Sequence, residues 1–195
     1  MSPPAAGEPL SSLLEYSQDI VLLVDDNGTA FYVSPAVHRM LGYEPEALIG
    51  ENAFEYMHPD DRRGVFDRFS TLIERPGRVT ERVEHRLKHD DGSWVWVESI
   101  GSNQTETAIG GYVINSRDIT ERKRREEELE AYQEYTETIF DSFEDGFFVM
   151  DTDGNLLRWN RAVTAKTGYT DAEVASMTAE DFVLRAVGVT VLVAG

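Results

Sequence analysis

Apolar positions come first as short runs broken by turn signals. Ile20-Val21-Leu22-Leu23-Val24 is followed by Asp25-Asp26-Asn27-Gly28 and then by Phe31-Tyr32-Val33. This predicts two strands joined by a hairpin, with Asn27-Gly28 supplying positive φ angles. Ser34-Pro35 reads as an N-cap with proline at the first helical position, and Gly42 ends that helix after Met40-Leu41. Pro45 opens another helix containing Leu48-Ile49. From Pro59-Asp60-Asp61 the apolar residues Val65, Phe66, Phe69, Leu72 and Ile73 recur at helical spacing until Pro76-Gly77. Three strand-like runs follow, Val79–Leu87, Trp94–Ile100 and Gly111–Ser116, the first two joined at Asp90-Asp91-Gly92. Strands, then helices, then strands predict an α+β fold, an antiparallel sheet with helices on one face.

A gapless shift along the chain lays the opening of this pattern on a second copy. Asp19, Asp25, Gly28, Ala36, Val37, Gly42 and Tyr43 fall on Asp145, Asp151, Gly154, Ala162, Val163, Gly168 and Tyr169, and Ser34 falls on Asn160. The matches sit at a turn, a helix start and a helix end, where backbone geometry is demanding, so the chain holds two copies of one module.

Between the copies, Leu129, Tyr132, Thr136, Ile139 and Phe143 are spaced three and four apart, the seam of a coiled coil on a helix roughly 39 Å long at 1.5 Å per residue. It begins with Arg122-Lys123-Arg124-Arg125. Glu126, Glu127 and Glu128 stand four residues beyond the first three of these, so the run reads as a self-neutralising helix start. Composition supports that reading over nucleic-acid binding. The chain carries 36 acidic and 18 basic residues, a net charge of -18, and such a surface repels phosphate backbones and anionic lipid. Few of the basic residues are lysine, and acid-rich, lysine-poor sequence suits a high-salt cytoplasm.

Candidate chemistry mostly falls away on inspection. The chain has no cysteine, which excludes disulfides and thiolate chemistry. His85 and His89 would share a helix face, but the segment alternates as a strand, placing them ~13 Å apart, too far for one metal. Asp25-Asp26-Asn27 and Asp151-Thr152-Asp153 lack the glycine and glutamate of a calcium loop and read as turns. His58 fits local hydrogen bonding at a helix start better than catalysis. No nucleophile constellation or phosphate loop is present, so no enzyme is expected. No apolar run approaches ~20 residues and the N-terminus has no signal pattern, which predicts a cytoplasmic protein without membrane insertion.

In order and spacing, the Asp25–Gly28 turn, Ser34-Pro35-Ala36, Leu41-Gly42-Tyr43, His58-Pro59-Asp60-Asp61, Asp91-Gly92-Ser93-Trp94 and Arg117-Asp118-Ile119-Thr120 resemble a PAS sensor domain. The resemblance implies the PAS fold, a five-stranded antiparallel sheet wrapped by helices around a pocket. It divides the chain into a flexible leader (1–9), a PAS domain (10–120), a signalling coiled-coil helix (121–143) and the N-terminal half of a second PAS domain (144–195). The second copy is expected to be truncated or frame-shifted, with an uncovered apolar face and an exposed β-prone tail at Val187–Val193. The family's cysteinyl-flavin chemistry is excluded by composition, and haem is disfavoured because residues 62–75 contain no histidine. A small organic ligand, a non-covalent flavin or a filled core remain. The expected lining is Leu22, Met40, Phe54, Phe66, Phe69, Leu87, Trp96 and Ile114, with Asn115 as a polar handle. The resemblance, to the sensory region of haloarchaeal-type PAS histidine kinases, implies a signal-sensing module relaying through the linker helix to a downstream signalling domain, with a homodimer through that helix and the PAS surfaces. The alternative is an interaction module with no ligand.

Overall fold

The computed structural model describes residues 17–185 and 190–193. The leader at 1–9, the first residues of the 10–120 domain and part of the uncharged tail lie outside the described residues. The chain divides into two units, one ending at Arg125 and the other starting at Glu126.

The first unit contains β1 (Ile20–Val24), β2 (Ala30–Val33), α1 (Ala36–Leu41), α2 (Pro45–Leu48), a 3-10 turn at Ala53–Tyr56, α3 (Pro59–Ile73), β3 (Val83–Lys88), β4 (Trp94–Asn103) and β5 (Tyr112–Asp118). The five strands form one antiparallel sheet in the order β2-β1-β5-β4-β3. Alternation along the strands buries Ile20, Val24, Val97 and Tyr112 on its inner face, together with the polar His85, Ser99, Asn103 and Ser116. Val37 and Leu41 of α1 and Phe69 and Leu72 of α3 pack into the same core. Helix α3 begins as its sequence suggests. His58 Nδ1 accepts from the Asp60 N–H at 3.2 Å, and Asp60 and Asp61 occupy the first turn, where the helix dipole favours negative charge.

α4 (Thr120–Ser142) follows, and it buries no residue. The second unit then repeats the opening pattern with β6 (Phe147–Met150), β7 (Leu156–Trp159), α5 (Arg161–Thr167), α6 (Asp171–Ala175), α7 (Ala179–Arg185) and β8 (Thr190–Val193). Phe148, Leu156, Val163, Val174, Ala179 and Phe182 form a core of its own. The expected uncovered apolar face is therefore corrected: α5, α6 and α7 each contribute to covering it. Within the tail, Thr190–Val193 pairs with β6, in the order β7-β6-β8. β8 takes the place beside β6 that β5 takes beside β1, but it runs parallel rather than antiparallel.

Four local expectations are revised. The β1–β2 connection is not a turn with two positive φ angles, since only Gly28 has one. The Asp25 carboxylate instead accepts from the Asn27 and Thr29 N–H groups, and Asp151 does the same for Asp153 and Asn155. Ser34 does not cap α1 through its side chain. Its hydroxyl accepts from the Val21 N–H at 2.9 Å, and the Asn160 side-chain oxygen accepts from the Phe147 N–H at the same distance. The repeat thus preserves a latch between the helix start and the first strand of each copy. β3 begins at Val83 rather than Val79, although Val79 still bridges Ser102 of β4 and Thr80 meets Gly101 twice, its backbone N–H donating to the Gly101 carbonyl and its hydroxyl accepting from the Gly101 N–H. Finally, the basic run reaches beyond its own helix: Arg122 and Lys123 both pair with Glu84 of β3 at 2.7 Å, and Arg125 pairs with Glu121.

Candidate functional site

Between the sheet and the helices of the first unit lies a cavity of about 110 Å³. The inner face of the sheet supplies Ile20, Leu22, Val24, Leu87 and Ile114 to its wall, and the helical side supplies Val37, Leu41, Phe54 and Phe69. Phe54 and Phe69 meet edge to face at 5.4 Å, and Tyr43 and Tyr56 meet likewise at 5.3 Å. The wall is not wholly apolar. Ser99 and Ser116 face each other across β4 and β5 with hydroxyl oxygens 2.6 Å apart, and His85, 2% exposed, stands on β3. His85 Nδ1 is buried without a hydrogen-bond partner, alone in this among the described residues. Burial holds its imidazole below the ordinary histidine pKa, with the Val83 carbonyl and the Asp61 carboxylate pulling the other way, which favours the neutral ring. Glu51 is the single carboxylate on the wall, and no lysine or arginine contributes.

Of the nine residues proposed from sequence, Leu22, Phe54, Phe69, Leu87 and Ile114 line the cavity. The other four stand elsewhere for reasons of periodicity. Trp96 lies between the inward Val95 and Val97 and so faces the other side of the sheet. Asn115, between Ile114 and Ser116, likewise faces outward, bordering a shallow depression with Asp19, Arg82, Glu98 and Arg117. Phe66 is on the flank of α3, 54% exposed, touching Phe54 with its ring edge-on at 5.5 Å. Met40 packs against the core beside Leu41 without reaching the cavity. Sequence reasoning missed His85, Ser99 and Ser116. The signal was available for two of them: His85 is two residues from Leu87 and Ser116 two from Ile114, and on a strand that spacing puts both members on one face.

The cavity's wall is tied directly to the start of α4. Glu84 and Arg86 flank His85 on β3 and point to the opposite face. Glu84 holds Arg122 and Lys123, and these two cations keep its carboxyl below the usual range. The Arg86 guanidinium lies 5.1 Å from the centre of the Trp96 ring, and the Lys123 ammonium 5.2 Å from it. The Trp96 N–H donates to the Thr120 hydroxyl, and the Ile119 N–H donates to the Trp96 carbonyl. Arg86 is itself fixed by two side-chain bonds to the Asp61 carboxylate, at 2.9 and 2.8 Å, while the Arg86 N–H donates to the same group.

Size sets what the cavity can hold. At about 110 Å³ it is smaller than the ~150 Å³ apolar cavity that takes benzene, and well below the ~300–1,000 Å³ of sites for larger ligands. Neither flavin nor haem fits the residues as they stand. Among the described residues there is no group of histidine and carboxylate side chains able to hold a metal, and no helix long and apolar enough to cross a membrane.

Comparison with known proteins agrees with this geometry. A family model described as PAS fold matches residues 30–109, and one described as PAS domain matches residues 134–189, together more than half of the chain. The chain is 32% identical over 74 residues to the basic helix-loop-helix ARNT-like protein 2 of Homo sapiens, covering 37% of this chain and 11% of that protein. It is 24% identical over 169 residues to the oxygen sensor protein DosP of Escherichia coli, covering 84% of this chain and 20% of that protein. The chain thus spans a fifth or less of these relatives. The PAS domain of an HTR-like protein from Haloarcula marismortui has a similar structure, with a TM-score of 0.50 at 24% identity, covering 57% of this chain and 90% of that one.

Proposed function

Because this chain belongs to the PAS domain family, we propose that its first domain is the small-molecule sensor of a cytoplasmic signal-transduction protein, with its output passed through α4 to a downstream signalling domain of the histidine-kinase type. The observation that carries this reading is the double duty of β3. Its inner face presents His85 and Leu87 to the cavity, while its outer face holds the first turn of α4 through Glu84. A molecule that displaces His85 therefore loads the strand that grips the linker. The stretch is sensory rather than catalytic.

A homodimer contact along α4 is part of the same proposal. Of the seam residues, Leu129, Tyr132 and Ile139 are 58%, 69% and 39% exposed, Thr136 is half-buried, and Phe143, just past the helix end, is exposed as well. Their spacing suits one partner helix. The competing reading, an interaction module with no ligand, uses the same helix but leaves the cavity idle.

Hydrogen exchange of the intact chain, with and without the small-molecule fraction of its own cell extract, separates the two. The expected result is altered exchange at Thr120–Arg125 in the wild type and a much smaller change in Glu84→Gln. No change anywhere in the first domain supports the interaction module instead.

A further inference from the structure

The cavity of the first domain carries one unmet hydrogen bond and a narrow choice of what can meet it. His85 Nδ1 is buried and unpartnered, a state that costs free energy until something supplies the bond. The ring borders the cavity, so an occupant there can supply the bond. A neutral imidazole has one donor and one acceptor nitrogen, so Nδ1 needs either an acceptor or a donor according to tautomer, and a hydroxyl serves both. Ser99 lies diagonally from His85 on the same face, since His85 pairs with Val97 and Val83 with Ser99. In the Ser99–Ser116 pair one hydroxyl donates to the other, and the accepting serine keeps its own O–H to offer. A single ligand hydroxyl can accept from that serine and donate to His85.

Charge and shape complete the selection. No cationic side chain lines the wall and Glu51 does, so an anion finds no partner and meets a like charge. The burial that keeps His85 neutral opposes a cation beside it. Phe54 and Phe69, edge to face, offer an aromatic flank, and about 110 Å³ limits an occupant to one ring at most. We propose that the cavity takes an uncharged single-ring phenol whose hydroxyl hydrogen-bonds to His85, with Ser99 and Ser116 as the second anchor. This deepens the sensory reading above and rests on it.

Titrating the intact chain with phenol, benzene and benzoate tests both layers. The expected result is that phenol binds about tenfold or more tightly than benzene, the worth of one buried hydrogen bond otherwise left unmade, and that benzoate does not bind in the same range. In His85→Phe the preference for phenol over benzene should vanish while benzene still binds. Imidazole nitrogen NMR of the wild type needs no variant: phenol should shift the His85 nitrogen resonance and benzene should leave it in place. Benzene binding as tightly as phenol, benzoate binding best, or a His85 resonance indifferent to phenol overturns the ligand class and leaves a sensory cavity standing. Failure of all three to bind overturns the ligand class and the sensory reading together.

Discussion

His85 makes the first domain sensitive to mild acid. Its imidazole is held below the ordinary value of 6.5 by burial, so below about that pH the unfolded chain binds a proton that the folded chain resists, and stability falls as pH falls. The slope from this one group is at most about 1.4 kcal/mol per pH unit. Urea midpoints measured at pH 5.5 and 7.5 should differ more in the wild type than in His85→Phe; equal differences would show that the ring is not buried neutral. Asp61 works at the other end of the scale. Its carboxyl is held low chiefly by Arg86 hydrogen bonds, so it stabilises the fold above its unfolded value near 3.8 and loses that effect as pH falls through its folded value. Replacing Asp61 with Asn removes the paired charge from a partly buried site and should cost about 1–3 kcal/mol at pH 7, measurable by denaturant unfolding. At this scale the sequence was only partly legible. Leu22, Phe54, Phe69, Leu87 and Ile114 follow from apolarity and position, but residue type points to Trp96 and Asn115 against their strand parity. The spacing of His85 and His89 rules out a shared metal, while parity with Leu87 is what places His85 inward. The Ser34 and Asn160 latches were visible as matched positions, yet a side chain's choice between capping its own helix and holding a neighbouring strand depends on tertiary placement.

Among the elements, α4 is the longest and has little support from its surroundings beyond its first turn. It buries no residue, and in proteins most helical stability comes from packing one face rather than from propensity. Pairing of two chains through Leu129 and Ile139 would supply what is missing. Replacing both with Asp should convert a dimer to monomer in sedimentation at fixed salt, with the first domain still folded. A wild type that is already monomeric at ~100 μM, where ~5.5 kcal/mol of association is enough for substantial pairing, would reduce α4 to a spacer. The extent of this helix was plain from its heptad spacing and from the Asp118-Ile119-Thr120 boundary. The grip of Glu84 on Arg122 and Lys123 was not, since local sequence offers nearer glutamates and only the sheet brings residue 84 to residue 122. The start of β3 is legible only in part: Val79 looks like a strand residue and does bridge Ser102 of β4, but regular pairing resumes only at Val83.

Over the whole molecule, charge and core size govern stability. At a net charge of -18, screening relieves self-repulsion and salt strengthens apolar burial, so the melting temperature should rise from low to molar salt; a flat profile would remove the high-salt reading. Among the described residues the second unit has the smaller buried core, and its sheet has three strands against five. Amides of β6 and β7 should therefore exchange faster than those of β4 and β5, and equal protection in the two would contradict that ranking. The internal repeat made both units readable from sequence, because turn and helix-end glycines mark them in register. The parallel seat of β8 was not, since nothing in Thr190–Val193 itself specifies the direction of its pairing. What matters most for function is whether the first cavity is filled in the cell. Native mass spectrometry of the chain gently purified from its own cells reads this directly: one small molecule of single-ring size per chain, released on denaturation, is the predicted result, and the mass of the bare polypeptide alone would contradict a sensory cavity.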